Sequence, residues 1–213
     1  MFKDERHLAR HIASNIKSEP HFSVKHVTLG DAMSSKDFED VLGRFFGAYA
    51  PMYVARPDII IVAEDAKRVV DEWLLVAIEL KYFRDLESER KLRGAFREIG
   101  QPLRYYLYGF DSAILWHIFE ESADREVLRS YGNLISEVIE KLKLPTVLFL
   151  TEIVGEDDFL VFKPLETGSP SNCGHIIRWM LNYCDEQVRN PLLPHDKEIK
   201  ERRRALKIAF KVP

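Results

Sequence analysis

Cysteine and glutamine are scarce in this 213-residue chain, with two of each. Cys173 and Cys184 fall on one predicted helix, where a rise of ~1.5 Å per residue sets them roughly 16 Å apart, too far for a disulfide. Two thiols also fail to complete a four-thiolate zinc or iron–sulfur site. No apolar run approaches the ~20 residues of a membrane helix. The opening MFKDERHLARH lacks the apolar centre of a signal peptide, so an intracellular, cytoplasmic location is expected. There is no G-x-S-x-G elbow and no G-x-x-x-x-G-K-[ST] loop, which removes support for a hydrolase triad or a fused nucleotide-driven motor. His7 and His11 have an i, i+4 spacing that suits a metal, but no H-E-x-x-H accompanies it. Gln occurs only at 101 and 187 beside plentiful charge, a composition that leans toward a thermophilic source.

What is present is an ordinary globular composition, 46% hydrophobic and 31% charged, in a length that suits one sizeable core. The formal net charge of −3 gives no bulk attraction to nucleic acid. The distribution is more informative. Residues 81–104 hold seven Lys/Arg against four acids, and KEIKERRRALKIAFK is strongly basic. Such patches suit phosphate contact and equally suit a solvated helix face.

The apolar periodicity predicts a helix over 3–18, a strand or arm over 21–29, and a helix over 36–49 opened by Ser34-Ser35-Lys36-Asp37. PMYVA (51–55), RPDIIIVAE (56–64) and EWLLVAIELKY (72–82) read as a three-strand meander. A helix over 85–109 follows, with Pro102 expected to kink or restart it. FDSAILWHIF is a fourth strand, 124–143 an amphipathic helix, and TVLFLTEIV with DFLVFKPL a hairpin. GHIIRWMLNYCDEQVRN is a further helix, broken by PLLPHDKE before the basic segment. This order predicts an α/β fold in three layers, a mixed sheet flanked by helices, in a single domain over 1–213.

One strand ends unusually. In LLVAIELKYFR, five apolar residues precede Glu79, Leu80 and Lys81. Alternation places Glu79 and Lys81 on one face of the strand. Asp58 opens the preceding strand, and neighbouring strands lie ~4.8 Å apart, so the two carboxylates are expected side by side. A divalent cation with oxygen ligands, Mg²⁺ or Mn²⁺, is the ordinary remedy for their repulsion. Such a metal activates water and offsets phosphoryl charge, and a neighbouring Lys orients that water or stabilises the developing charge. The plain alternatives are a surface ion pair for Glu79 and Lys81 and a turn residue for Asp58.

Pro57-Asp58, then Glu79-Leu80-Lys81, resembles the signature of the PD-(D/E)XK nuclease superfamily. Gln101-Pro102-Leu103-Arg104-Tyr105 looks like the Q-x-x-x-Y motif of its RecB-type branch. The resemblance covers about residues 34–120 and implies a restriction-endonuclease-like α-β-β-β-α-β core. It implies metal ligation by Asp58, Glu79 and the backbone carbonyl of Leu80, with Lys81 acting on the water and Gln101 and Tyr105 supporting the site. The superfamily often adds an acid from the helix before the first strand; Glu39 is the candidate, with Asp40 and Asp37 as rivals. The whole chain is also similar to nuclease-like proteins of archaeal spindle-shaped viruses, which implies action inside a host cell.

The implied activity is metal-dependent cleavage of DNA. Small size and the missing motor suit a structure-specific endonuclease similar to archaeal Holliday-junction resolvases, which are homodimers. A RecB-type exonuclease, a non-catalytic nucleic-acid-binding protein on the same fold and an RNA-processing enzyme are the alternatives. Arg84, Lys91, Arg97, Arg104 and the run Arg202, Arg203, Arg204 are candidates for phosphate contact by charge and position. His117, inside an apolar strand, is expected to be a core histidine.

Overall fold

The computed structural model describes residues 2–18, 24–30, 35–47, 55–84, 99–120, 124–155, 160–165, 168–186 and 189–212. Seven strands form one mixed sheet: β1 (Val24–Leu29), β2 (Ile59–Glu64), β3 (Trp73–Phe83), β4 (Ser112–Glu120), β5 (Thr146–Gly155), β6 (Val161–Pro164) and β7 (Ser171–Asn172). Their spatial order is their chain order. β1, β2 and β3 are antiparallel neighbours, β3, β4 and β5 are parallel, and β5, β6 and β7 return to antiparallel pairing. The six described helices are α1 (Glu5–Ser18), α2 (Ser35–Phe46), α3 (Gly100–Tyr108), α4 (Arg125–Lys141), α5 (Cys173–Glu186) and α6 (Lys197–Ala209).

The central strands read as continuous apolar runs because helices cover both of their faces. On one face Ile59, Ile61, Val76, Ile78 and Trp116 pack against Leu8, Ile12 and Ile16 of α1 and Ile176, Ile177 and Met180 of α5. On the other, Ile60, Val62, Leu75 and Ala77 meet Phe38 and Leu42 of α2, the tyrosines of α3 and Leu206 of α6. Beside that cluster, Leu115 and Phe119 are covered by Leu128, Tyr131 and Ile135 of α4. None of the described helices is long and apolar enough to cross a membrane.

Three expectations change. The first strand of the meander is β1, not 51–55; residues 51–54 lie outside the described ones and Ala55 is not in a strand. The sheet therefore draws on residues well outside 34–120, and α2 sits between β1 and β2. Of the helix expected over 85–109, residues 85–98 lie outside the described ones; α3 begins at Gly100, and Pro102 stands in its first turn, where its missing N–H leaves no bond unmade. Third, the basic segment is not a solvated tail. It forms α6, capped by the Asp196 side chain accepting from the Glu198 and Ile199 N–H groups, and it buries Arg202 and Arg203.

Candidate active site

The end of β3 is assembled by close approach of three chain segments. Gly30, just past β1, donates its N–H to the Asp58 carbonyl at 3.0 Å. A Cβ on Gly30 would lie 1.7 Å from the Pro57 carbonyl oxygen, so only glycine allows β1 to press on the Pro57-Asp58 turn. The Asp58 N–H donates to the Ile78 carbonyl at 3.0 Å. β2 and β3 pair Ile59 with Ile78, and one step further along that register Asp58 stands across from Glu79.

The side chains converge. Asp58 Oδ2 accepts from the Leu80 N–H at 2.8 Å, while Oδ1 has no hydrogen bond among the described residues. Glu79 is 6% exposed. Its Oε1 accepts from Lys81 Nζ at 3.0 Å, and its Oε2 accepts from the Tyr105 hydroxyl of α3. Gln101, half-buried one turn before Tyr105, makes no hydrogen bond among the described residues.

Glu5, in the first turn of α1, also reaches the cluster. Its Oε1 is 3.5 Å from Lys81 Nζ and its Oε2 accepts from the Tyr82 N–H at 3.3 Å. Sequence reasoning missed Glu5 because the first strand was placed at 51–55. With β1 as the first strand, the helix before it is α1, and the acid comes from there. Glu39, half-buried on α2, makes no hydrogen bond or ion pair with Asp58, Glu79 or Lys81 among the described residues.

Burial, then the Glu79 charge, pushes the Asp58 pKa up to about 7. Glu79 is likewise raised by burial, against the opposing pull of Lys81 and the Tyr105 hydroxyl. Burial alone would lower Lys81, but the carboxylates of Glu79 and Glu5 outweigh it and hold the amine above its ordinary value. Lys81 is therefore a firm cation, suited to orient or stabilise an anion and unsuited to take a proton. Tyr105 is raised well above its ordinary value by burial and by Glu79, so it stays a neutral donor.

The remaining candidates divide. Arg84 is exposed at the end of β3, Arg104 is half-buried on α3, and Arg204 is exposed on α6. Lys91 and Arg97 lie outside the described residues. Arg202 and Arg203 do not face solvent as expected. Arg202 donates to the Leu107 carbonyl at 2.9 Å and stacks 4.3 Å from the Phe46 ring centroid. Arg203 is 1% exposed and bound to Asp111, Asp71 and the Trp73 carbonyl. Three adjacent arginines on a helix point in three directions, so a charge run in sequence is not one surface in space. His117 is buried with Nδ1 2.9 Å from the Tyr131 hydroxyl, and burial pushes its pKa down to about 3.

Among the described residues no group of three or more His, Cys, Asp or Glu is arranged to hold a metal ion. Two pairs remain: Asp58 and Glu79 across the β2–β3 register, and His7 and His11 on α1 with their Nε2 atoms 3.2 Å apart. Comparison with protein-family models, curated proteins and solved structures finds no match to this chain.

Proposed function

We propose that this chain is a metal-dependent nuclease that hydrolyses phosphodiester bonds in DNA, with its site at the end of β3. The observation that carries the proposal is the Asp58–Glu79 pair: a half-buried and a buried carboxylate facing each other across the β2–β3 register, both raised in pKa, with Lys81 against them. Their chemistry fits a hard divalent cation, since Asp58 Oδ1 is unengaged and repulsion is what such an ion relieves. Asp58, Glu79 and the Leu80 carbonyl would hold Mg²⁺ or Mn²⁺. The ion would supply an acidified water and charge neutralisation on the phosphoryl oxygens. Lys81 orients the attacking water and steadies negative charge; Glu5 holds Lys81; Tyr105 fixes Glu79; Gln101 lies on the same helix face, toward the strand to be cut. The order α1-β1-β2-β3-α3-β4, antiparallel to β3 and parallel to β4, supports a restriction-endonuclease-like core with α2 inserted. A structure-specific endonuclease acting as a homodimer is the preferred form and an exonuclease its rival. One observation favours a second reading, a non-catalytic nucleic-acid-binding module: among the described residues no three of His, Cys, Asp or Glu are arranged to hold a metal ion.

The test is cleavage of supercoiled plasmid, linear duplex, single strands, RNA and a four-way junction by the parent and Asp58→Ala, each with Mg²⁺, Mn²⁺ and EDTA. Metal-dependent cutting lost in the variant is expected, with the four-way junction preferred. Cutting confined to free ends makes it an exonuclease. Absence of both cutting and metal binding leaves the binding module.

A further inference from the structure

Two strands away from Lys81, on the same face and at the same end of the sheet, lies a second polar site. Lys81 stands across from His117, and His117 across from Leu150. Two residues beyond Leu150, Glu152 faces the same way and stands across from Phe119 on one side and Lys163 on the other. Strand spacing and rise put Glu152 roughly 12 Å from Lys81, a distance that a few nucleotides of one strand cover. Glu152 lines a cavity of about 190 Å³ with Arg125, Arg129 and Lys163 around it and Pro164 and Leu165 as an apolar wall.

Glu152 is 0% exposed. Its Oε2 is 3.5 Å from Arg125 Nη2, whereas its buried Oε1 has no hydrogen-bond partner among the described residues. A buried acceptor without a donor is costly, and a carboxylate oxygen most of all. Three cations around one carboxylate leave the cavity attractive to an anion. The missing pieces are thus an anionic group for the arginines and lysine and an N–H for Glu152 Oε1, joined in one ligand that also carries a flat apolar surface.

We infer that this cavity is a nucleotide subsite for the strand cut at Asp58 and Glu79: Arg125, Arg129 and Lys163 take a backbone phosphate, and Glu152 takes the exocyclic amino group of a base lying on Pro164 and Leu165. The subsite rests on the nuclease reading for its place on the strand, but its binding is independent of the metal centre. A carboxylate accepts from the amino group of cytosine. Thymine, whose N–H is flanked by two carbonyls, is disfavoured. The test is titration of the full chain with dCMP, dTMP and inorganic phosphate in EDTA, followed by amide NMR. The parent is expected to bind dCMP about tenfold more tightly than dTMP, with shifts at 125–129, 152 and 163–165. In Glu152→Gln the amide turns its carbonyl to Arg125 and its NH₂ to the cavity, so the preference inverts toward dTMP. Arg129→Ala, an exposed change that leaves folding intact, weakens both nucleotides and phosphate alike. Equal affinity for dCMP and dTMP, phosphate binding as tightly as dCMP, indifference to Arg129→Ala, or shifts elsewhere each overturns the subsite. Assaying the parent for cleavage beside the titration separates the two readings: dCMP preference in a parent that cuts nothing upholds the subsite while the nuclease reading fails, and cutting by the parent without dCMP preference does the reverse.

Discussion

Strand β3 carries a charged cluster at each end, and the two are built on opposite terms. At its start, Asp71 and Asp111 are bound by Arg203, with Lys207 also on Asp71 and Arg189 bridging Asp65 and Asp185. Although burial works against them, the guanidinium bonds hold Asp65 and Asp71 below the ordinary carboxylate value. Asp111, the deepest, is pushed up by burial even with Arg203 and the Leu75 N–H on it. At the other end, roughly 20 Å along the strand, Asp58, Glu79 and Glu5 face Lys81, and Asp58 is carried to about 7. The first cluster sets three cations against four carboxylates and serves the fold. The second sets one cation against three carboxylates, the larger imbalance, and on the proposed reading that imbalance is what a divalent cation relieves.

The largest contrast comes from deleting one partner at each end. Arg203→Ala takes the guanidinium from buried Asp111 and half-buried Asp71 and is expected to cost about 3–5 kcal/mol, lowering the midpoint of a thermal melt by roughly 10 °C. Glu79→Ala removes a carboxylate that repels Asp58 but also the acceptor of the Tyr105 hydroxyl, so in EDTA the melt falls less than for Arg203→Ala while metal-dependent cleavage disappears. A Glu79→Ala protein that melts as low as Arg203→Ala would erase the distinction. Next is Gly30→Ala, whose Cβ has no room beside Pro57; displaced Asp58 then lowers metal affinity in a calorimetric titration, together with stability. Tyr105→Phe leaves Glu79 Oε2 without its donor and is expected to cost about 1.5–3 kcal/mol in urea unfolding.

A smaller effect is the pH dependence of Asp58. Its folded value of about 7 lies above its ordinary 3.8, so the folded chain holds more protons between those limits. The stability this contributes is full below about pH 4 and is lost as pH rises through about 7. Asp58→Asn flattens that fall in EDTA, and urea midpoints at pH 5 and 8 measure it; an undiminished slope in the variant places the proton elsewhere. The smallest effect is Arg84→Ala, which weakens binding to all DNA sequences alike and lowers the salt slope by about one.

Much of this contrast was legible in the sequence, but unevenly. Apolar runs announced β2, β3 and β4, and strand alternation with the Pro57-Asp58 start was enough to put Asp58 across from Glu79. β1 was legible only as a strand or arm over 21–29 and not as the sheet neighbour of β2, because VKHVTL, an edge strand with one buried side chain, carries no long apolar signature. Missing that pairing also lost Glu5, since its role depends on which helix precedes the first strand. Arg203 looked like part of a solvated face because its partners lie 92 residues or more away, and Arg202 because its ion pair is with Glu198 one turn earlier, as on any solvated helix, while its Leu107 carbonyl lies 95 residues away. Distant partners leave no local periodicity to read.

The chain-order arrangement of the strands has a consequence for synthesis. Each strand leaving the ribosome finds its sheet neighbour already made, so the carboxylate pair and Tyr105 can meet once α3 has emerged. Arg203 arrives on α6, nearly a hundred residues later. Until then the start of β3 and β4 holds Asp71 and the buried Asp111 without their guanidinium, and a nascent chain can present its acidic end before its scaffold is closed. Folding of this protein is thus sealed late, and from the end of β3 farthest from the Asp58–Glu79 pair.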